Sequence, residues 1–156
     1  HMEKLINEKR DGISHQHGFA IKDRILIRND TSIMVSPVMY RELIAPFDAK
    51  ILNEFGGGIH SCGNVDSVIS EFINVDSVSC FDFGQSELND CKNAYELASK
   101  KNIALTRVAV TEEELVNAKI FNKFATGLSL LFRAKSLEHA RSVINQYKES
   151  SAKQYV

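Results

Sequence analysis

The sequence lacks most of the features that announce a function. It has no surplus of charge: 19 basic residues against 20 acidic leave a net −1, so the basic excess that nucleic-acid binders set against a phosphate backbone is missing. It has no apolar run near the roughly 20 residues of a membrane-spanning helix. Glu3, Lys4, Glu8, Lys9, Arg10 and Asp11 interrupt any secretory core near the start, so no signal peptide is expected. The three cysteines, Cys62, Cys80 and Cys91, are odd in number and contain no CxxC pair, which argues against a disulfide framework and for a reducing cytoplasm. Neither GxGxxG nor GxxxxGK[ST] occurs, and no nucleophile elbow supports a Ser-His-Asp arrangement. The expected partner is a small molecule, with no nucleic acid and no membrane.

What is present is ordinary globular composition: 156 residues, 44% hydrophobic and 25% charged, enough for one domain with a core. His1-Met2 reads as a cloning scar plus initiator. Residues 1–23 read as a polar segment with breaks at Asp11-Gly12 and His17-Gly18, 24–150 as an α/β domain, and 151–156 as a frayed tail. Within the domain, strand and helix patterns alternate. Strands are expected at Ile25 to Ile27, Ile59 to Cys62, Val75 to Phe83, Ile103 to Val110 and Leu128 to Phe132. Between them, Ser36-Pro37 starts a helix, serine capping it and proline filling the first turn, and Pro46 should kink or divide that helix. Gly56-Gly57-Gly58 ends it. Further helices are expected from Val65 to Phe72 and along Cys91, Ala94, Tyr95 and Ala98. Thr111-Glu112-Glu113-Glu114 is a capping box. Ser136 caps a last helix with Leu137, Ala140, Ile144 and Tyr147 inward. About five parallel strands with helices result. A complete (β/α)8 barrel takes about 250 residues, so this is a small open α/β domain or a piece of a barrel.

The stretch Phe55-Gly-Gly-Gly-Ile-His-Ser-Cys-Gly-Asn64 carries the most chemistry. His60 and Cys62 are two apart, so on a strand they point the same way. Imidazole and thiolate together are half of a zinc site. The same pair also reads as a buried cysteine beside a histidine bonded to backbone. Ligands of parallel α/β domains gather at the carboxyl ends of strands. Asp30 stands at such an end, facing a site or capping a turn. Gln85 and Glu87 stand at another, Gln85 as a substrate amide contact and Glu87 as an acid-base group or ligand. The alternative there is a solvated loop with Asn89 capping the next helix. Arg107 offers a fork for a carboxylate. His15 and His17, like Arg24 and Arg28, read as exposed or rim residues, and Cys80 and Cys91 as core.

Ser36-Pro-Val-Met-Tyr-Arg-Glu-Leu-Ile-Ala-Pro46, the His60-x-Cys62-Gly63 stretch and Asp82-Phe-Gly-Gln-Ser-Glu-Leu-Asn-Asp90 together resemble the uroporphyrinogen decarboxylase superfamily, which also contains the zinc- and corrinoid-dependent methyltransferases. The resemblance runs from about His15 to Tyr147. It implies a partial TIM-barrel-like (β/α) domain, equivalent to the C-terminal part of a (β/α)8 barrel. In the methyltransferase branch it implies that His60 and Cys62 bind zinc, that a thiol is activated there, and that a corrinoid, on its own protein, is the methyl donor. The branch's third cysteine has no counterpart near Phe124 to Ser129, so Cys80, Glu87, Asp30 or a partner chain is expected to complete the set. The decarboxylase branch implies no cofactor, with Arg107 gripping a small carboxylic acid. An unclosed sheet also favours assembly, into a homo-oligomer or with a complementary N-terminal half.

Overall fold

The structure, a computed structural model, describes residues 13–16, 19–22 and 25–152. The expected breaks at Asp11-Gly12 and His17-Gly18, the side chain of His15, Arg24 and the tail from 153 lie outside the described residues. Strands β1 (Ile13–Gln16) and β2 (Phe19–Lys22) form a separate antiparallel hairpin, where only a turn-rich segment was expected.

The domain behind it is α/β. Five parallel strands, β3 (Ile25–Arg28), β4 (Gly57–Ser61), β5 (Cys80–Phe83), β6 (Ala104–Ala109) and β7 (Leu128–Leu131), lie side by side in chain order. Parallel crossovers keep one hand, so an order without reversal sends every connecting helix to the same face. That is the arrangement of barrel staves; a doubly wound sheet reverses its order midway. No helix among the described residues is long and apolar enough to cross a membrane.

The helical connections follow local chemistry where it is unambiguous. Ser36 Oγ accepts the Met39 amide at 3.2 Å and Pro37 opens α1 (Pro37–Met39). A π-turn over Tyr40–Ile44 then hands on to α2 (Ala45–Phe55), with Pro46 in its first turn, so the helix is divided where proline removes a donor. Gly56, at φ 67°, ends α2 with its amide on Leu52 O at 2.7 Å. Gly57 follows at φ 126°, and a Cβ there would stand 1.9 Å from Ile25 O, so only glycine lets β4 approach β3.

Two elements are shorter than expected. α3 spans Ile69–Ile73 only, because the Val65–Val68 stretch is tied to the next loop, where Asp66 Oδ1 accepts the Asp90 amide at 2.9 Å. β5 starts at Cys80, because Ser77 takes a left-handed φ of 62° that interrupts an extended run. Further along lie α4 (Cys91–Ser99), α5 (Glu112–Val116), α6 (Ile120–Lys123) and α7 (Leu137–Ala152). The Thr111–Glu114 capping box forms as expected. Asn89 does not cap α4; Asp90 does, accepting the Asn93 amide at 3.0 Å, because Asn89 is committed to the loops beside it. In α7 Val143 is buried and Ala140 and Tyr147 are half-buried on the same face, and the expected inward residues Leu137 and Ile144 are exposed. The helix packs on α5 and α6, and that contact selects the face.

The core lies between sheet and helices. Ile59, Phe81, Phe83 and Leu105 point into it from the strands and meet Tyr40, Leu52, Phe72 and Ala98. Phe72 stacks on Phe81 at 5.3 Å and meets Tyr40 edge-on at 4.8 Å. One polar knot is buried there. Asp48 Oδ2 accepts Tyr40 Oη–H at 2.8 Å and Asn29 Nδ2–H at 2.7 Å. Burial, more than any neighbour, pushes the Asp48 carboxyl above its ordinary range, so each donor matters. Tyr40→Phe is expected to destabilise by about 1–2 kcal/mol, the cost of a buried acceptor left short of a partner, as read by urea denaturation.

Candidate metal centre

Residues alternate across a strand, so the partners of the core-facing residues point to the other face of the sheet. Strand register places Arg28 beside His60, His60 beside Asp82, and Asp82 beside Thr106. The opposite face therefore carries a polar row near the carboxyl ends of four strands. Asp82 is fully buried and His60 nearly so, and a buried charge persists only when fully partnered.

Asp82 is partnered on every side. His60 Nδ1 lies 2.7 Å from Oδ2, Thr106 Oγ1 donates to Oδ1 at 2.6 Å, and Arg107 donates Nε–H to Oδ1 at 2.7 Å and Nη2–H to Oδ2 at 2.6 Å. A break in register between Leu105 and Val108 makes this double approach feasible. Arg107 sits in the bulge at φ 58°, and the bulge turns Thr106 and Arg107, neighbours in sequence, onto one carboxylate. A non-glycine residue held left-handed costs on the order of 1 kcal/mol, which the bidentate ion pair offsets. Burial alone would raise the Asp82 pKa, but the hydrogen bonds from His60, Arg107 and Thr106 outweigh it and hold the carboxyl below its ordinary 3.8.

Two groups contend for His60 Nδ1: Asp82 Oδ2 at 2.7 Å can accept its proton, and Arg107 Nη2 at 2.8 Å can only donate to it. With the proton on Nδ1 and directed at the ionised Asp82, Nε2 keeps its lone pair, aimed away from Asp82. Two further donors meet it there: Cys62 Sγ at 3.4 Å and Asp30 Oδ1 at 3.4 Å. The three ligand atoms lie within 4.8 Å of one another. Around a tetrahedral zinc, the usual Zn–S and Zn–N bond lengths set a sulfur–nitrogen edge of about 3.5 Å and an oxygen–nitrogen edge of about 3.3 Å. The two separations from Nε2, 3.4 Å each, match those edges; the sulfur and oxygen lie within 4.8 Å of each other. The donor set, one thiolate, one neutral imidazole and one carboxylate, is what a borderline-soft divalent ion takes. A carboxylate behind the ligating imidazole is the usual outer partner of such a histidine.

Each donor is fixed by its own local structure. Asp30 opens the short 3-10 turn Asp30–Met34 after β3, and its Oδ1 accepts the Cys62 amide at 2.8 Å, so it ties to the neighbouring strand end and caps no local turn. Cys62 lies one residue past β4, with Gly84 pressed against it; a Cβ on Gly84 would stand 2.6 Å from Cys62 Sγ. Burial first, then the Asp30 charge, push the Cys62 thiol up, while Arg107 and Arg28 pull it down.

Gln85 Oε1 accepts the Gly63 amide at 2.6 Å, and Asn89 bridges Gly63 O and Gln85 O at 3.0 and 2.7 Å. Gln85 thus holds the loop that carries Cys62. Glu87 lies outside the cluster, half-exposed, 3.7 Å from Arg133. Arg107, read from sequence as a fork for a carboxylate, grips an internal one. Cys80 is buried. Cys91 donates to Ser86 O at 3.3 Å, and burial pushes its thiol up to about 11, so it stays a neutral thiol. Among the described residues, the group able to hold a metal is Asp30, His60 and Cys62.

Asp82 and Thr106 are the site residues that sequence reading missed. A single acidic residue inside Cys80-Phe-Asp-Phe83 is the signal that finds Asp82, since a charge in an apolar strand needs a partner. Nothing local marks Thr106, or the bulge that adds Arg107. Comparison with protein-family models, with curated proteins and with solved structures found no match to this chain. Fold and site together therefore define a class and no more: an open parallel α/β sheet with a nitrogen, oxygen and sulfur donor cluster at its carboxyl edge.

Proposed function

We propose that this chain holds a divalent metal, zinc by the chemistry of its donors, on Asp30, His60 and Cys62, and acts as a methyltransferase-like enzyme of the uroporphyrinogen decarboxylase-like kind, handling a small thiol. The observation that carries the metal reading is the convergence of His60 Nε2, Cys62 Sγ and Asp30 Oδ1 with Asp82 fixing the imidazole. Three protein donors leave a fourth position for a ligand, as catalytic zinc sites do and structural ones do not. The bound metal would supply Lewis-acid chemistry, lowering the pKa of a substrate thiol so that it reacts as thiolate. The chain's own contribution is orientation. Asp82 keeps the proton on Nδ1, Asp30 holds the Cys62 amide, and Gln85 and Asn89 fix the loop beyond it. Arg28 and Arg107 add positive charge beside the thiolate. The corrinoid donor and its carrier protein rest on the sequence resemblance alone, as does the choice of methyl transfer over decarboxylation. A cytoplasmic location suits a ligand thiol that must stay reduced.

Metal analysis and competitive zinc titration test this. The protein is expected to bind one zinc per chain, and His60→Ala and Cys62→Ser are expected to lose it. Cobalt substituted for zinc should give a thiolate charge-transfer band that is absent in Cys62→Ser. Equal, metal-free results for all three proteins would end the proposal. Zinc affinity should also rise with pH, by up to about tenfold per unit while the Cys62 thiol remains protonated, because binding must displace that proton.

A second reading uses the same atoms without metal. Cys62 Sγ, His60 and Asp82 lie in line, at 3.4 and 2.7 Å, as a thiol, base and orienting carboxylate do in nucleophilic catalysis. The upward shift of the Cys62 thiol weighs against it. Alkylation separates the two. A zinc ligand is protected from iodoacetamide by zinc and reacts slowly without it; a relay nucleophile reacts fast in chelator.

A further inference from the structure

The helix side of the sheet keeps a gap of its own. The unit after β6 is not closed by one long helix. Ala118, left-handed at φ 55°, turns the short helix α5 into the short helix α6. Two short helices meeting at a corner do not fill the space that one continuous helix packed along α4 would fill. A cavity of about 460 Å³ is left between α4, the end of β6 and that corner. Ligand pockets start at about 300 Å³, and one water takes about 30 Å³, so this space is of ligand size and is no ordinary packing defect. Its floor is Val108, Ile120 and Phe124, buried members of the core, with Cys91 at one side. Asp30, His60 and Cys62 take no part in it.

The charges around the cavity are already matched. Burial would raise the Glu114 carboxyl, but Lys123 and Thr111 outweigh it and hold that group below its ordinary range. Glu114 accepts the Thr111 amide at 2.8 Å and the Thr111 hydroxyl at 3.0 Å, and pairs with Lys123. Cys91 is a neutral thiol bonded to Ser86 O, raised by burial first and then by the charges of Asp66, Asp90 and Glu87. Lys92 is exposed beside it, and those same acids offset its charge. An anion entering would meet Glu114 and the acids around Cys91. A cation would meet Lys92 and Lys123. Neither finds an unmatched countercharge inside, and a charge buried without one is costly. An uncharged apolar body gains by leaving water. One polar group at the mouth is unspent: the exposed Asn122 side chain makes no hydrogen bond among the described residues, and its amide offers both a donor and an acceptor.

We propose that the cavity between α4, β6 and the α5–α6 corner is a second binding site, for a small uncharged organic molecule whose apolar body lies on Val108, Ile120 and Phe124 and whose polar end meets Asn122. Such a site, apolar with few placed polar groups, is the usual form of a small-molecule pocket. It is independent of the metal reading, because the two share no residue.

Fluorescence titration of the full chain tests this with two probes of one ring system. Uncharged N-phenylnaphthylamine should bind saturably, one per chain. Anilinonaphthalene sulfonate, which adds an anionic group, should bind about tenfold more weakly or worse. Cys91→Phe puts a ring into the cavity and should weaken the uncharged probe about tenfold or more, since the two compete for one space, while zinc titration is unchanged. Where that variant fails to melt cooperatively, Asn122→Ala, at an exposed position, should weaken the uncharged probe about fivefold, the worth of one hydrogen bond. Absence of saturable binding overturns the proposal. So does a sulfonate probe that binds as tightly as the uncharged one, or a probe affinity untouched by folded Cys91→Phe or by Asn122→Ala.

Discussion

Asp82→Ala is expected to lower folding stability by about 3–5 kcal/mol, the usual cost of removing one partner of a buried ion pair. Arg107 would lose both hydrogen bonds to Asp82, in a bulge whose left-handed backbone no longer has that ion pair to offset it. Where the alanine variant fails to fold, Asp82→Asn separates the site's chemistry from its stability. The amide keeps the shape but offers hydrogens where a carboxylate offered lone pairs. Directed at His60 Nδ1, those hydrogens move the imidazole proton to Nε2 and remove the donor lone pair. Zinc affinity should then fall about tenfold to hundredfold, the usual loss when the partner behind a metal ligand is changed. Competitive titration of the folded variant measures it; an unchanged affinity would mean that Asp82 does not set the tautomer.

The same carboxylate predicts an acid response. Its pKa is held below 3.8 in the folded chain, so the unfolded chain binds a proton first as pH falls. The stability contributed by Asp82 is therefore fully present above about pH 4 and is lost progressively below it. Urea midpoints across that range should fall more steeply in the native protein than in Asp82→Asn.

The second large effect should come from a residue with no functional group. Gly84→Ala places a methyl group 2.6 Å from Cys62 Sγ and 2.7 Å from Cys62 Cα. A side chain could swing aside, but a backbone carbon cannot, so Cys62 must leave its place against His60 and Asp30. The expected result is about a tenfold or greater loss of zinc affinity, together with an overpacking cost of about 1–3 kcal/mol. Thermal melting and the same titration read both. Retention of full affinity would show that Cys62 is not a ligand in this position.

The parts of the fold that were legible are those decided within a few residues. Ser36 followed by Pro37, and Thr111 followed by Glu114, form caps because donor and acceptor lie within one turn. The run of apolar strands separated by helical patterns led to a parallel sheet, since buried parallel strands need little else; its sequential order came from the packed structure. Where two readings satisfied the same local rule, the sequence did not choose. Asn89 and Asp90 can both cap a helix, and the selection came from Val65, Gly63 and Gln85, which claim Asn89. Leu137-Ala140-Ile144-Tyr147 and Ala140-Val143-Tyr147 are both helical faces, and contact with α5 and α6 selected the second.

The sequence by itself determined the alternation of strands and helices, their parallel direction, and the placing of one imidazole and one thiol two residues apart, because those depend on side-chain period and short-range bonding. Tertiary structure alone decided that Asp30 comes within 3.4 Å of His60 Nε2, that Asp82 stands behind His60, and that Arg107 turns inward at a bulge. Those contacts join strands separated by 22 to 47 residues, and parallel crossovers bring such positions into register only once the helices have packed on the sheet.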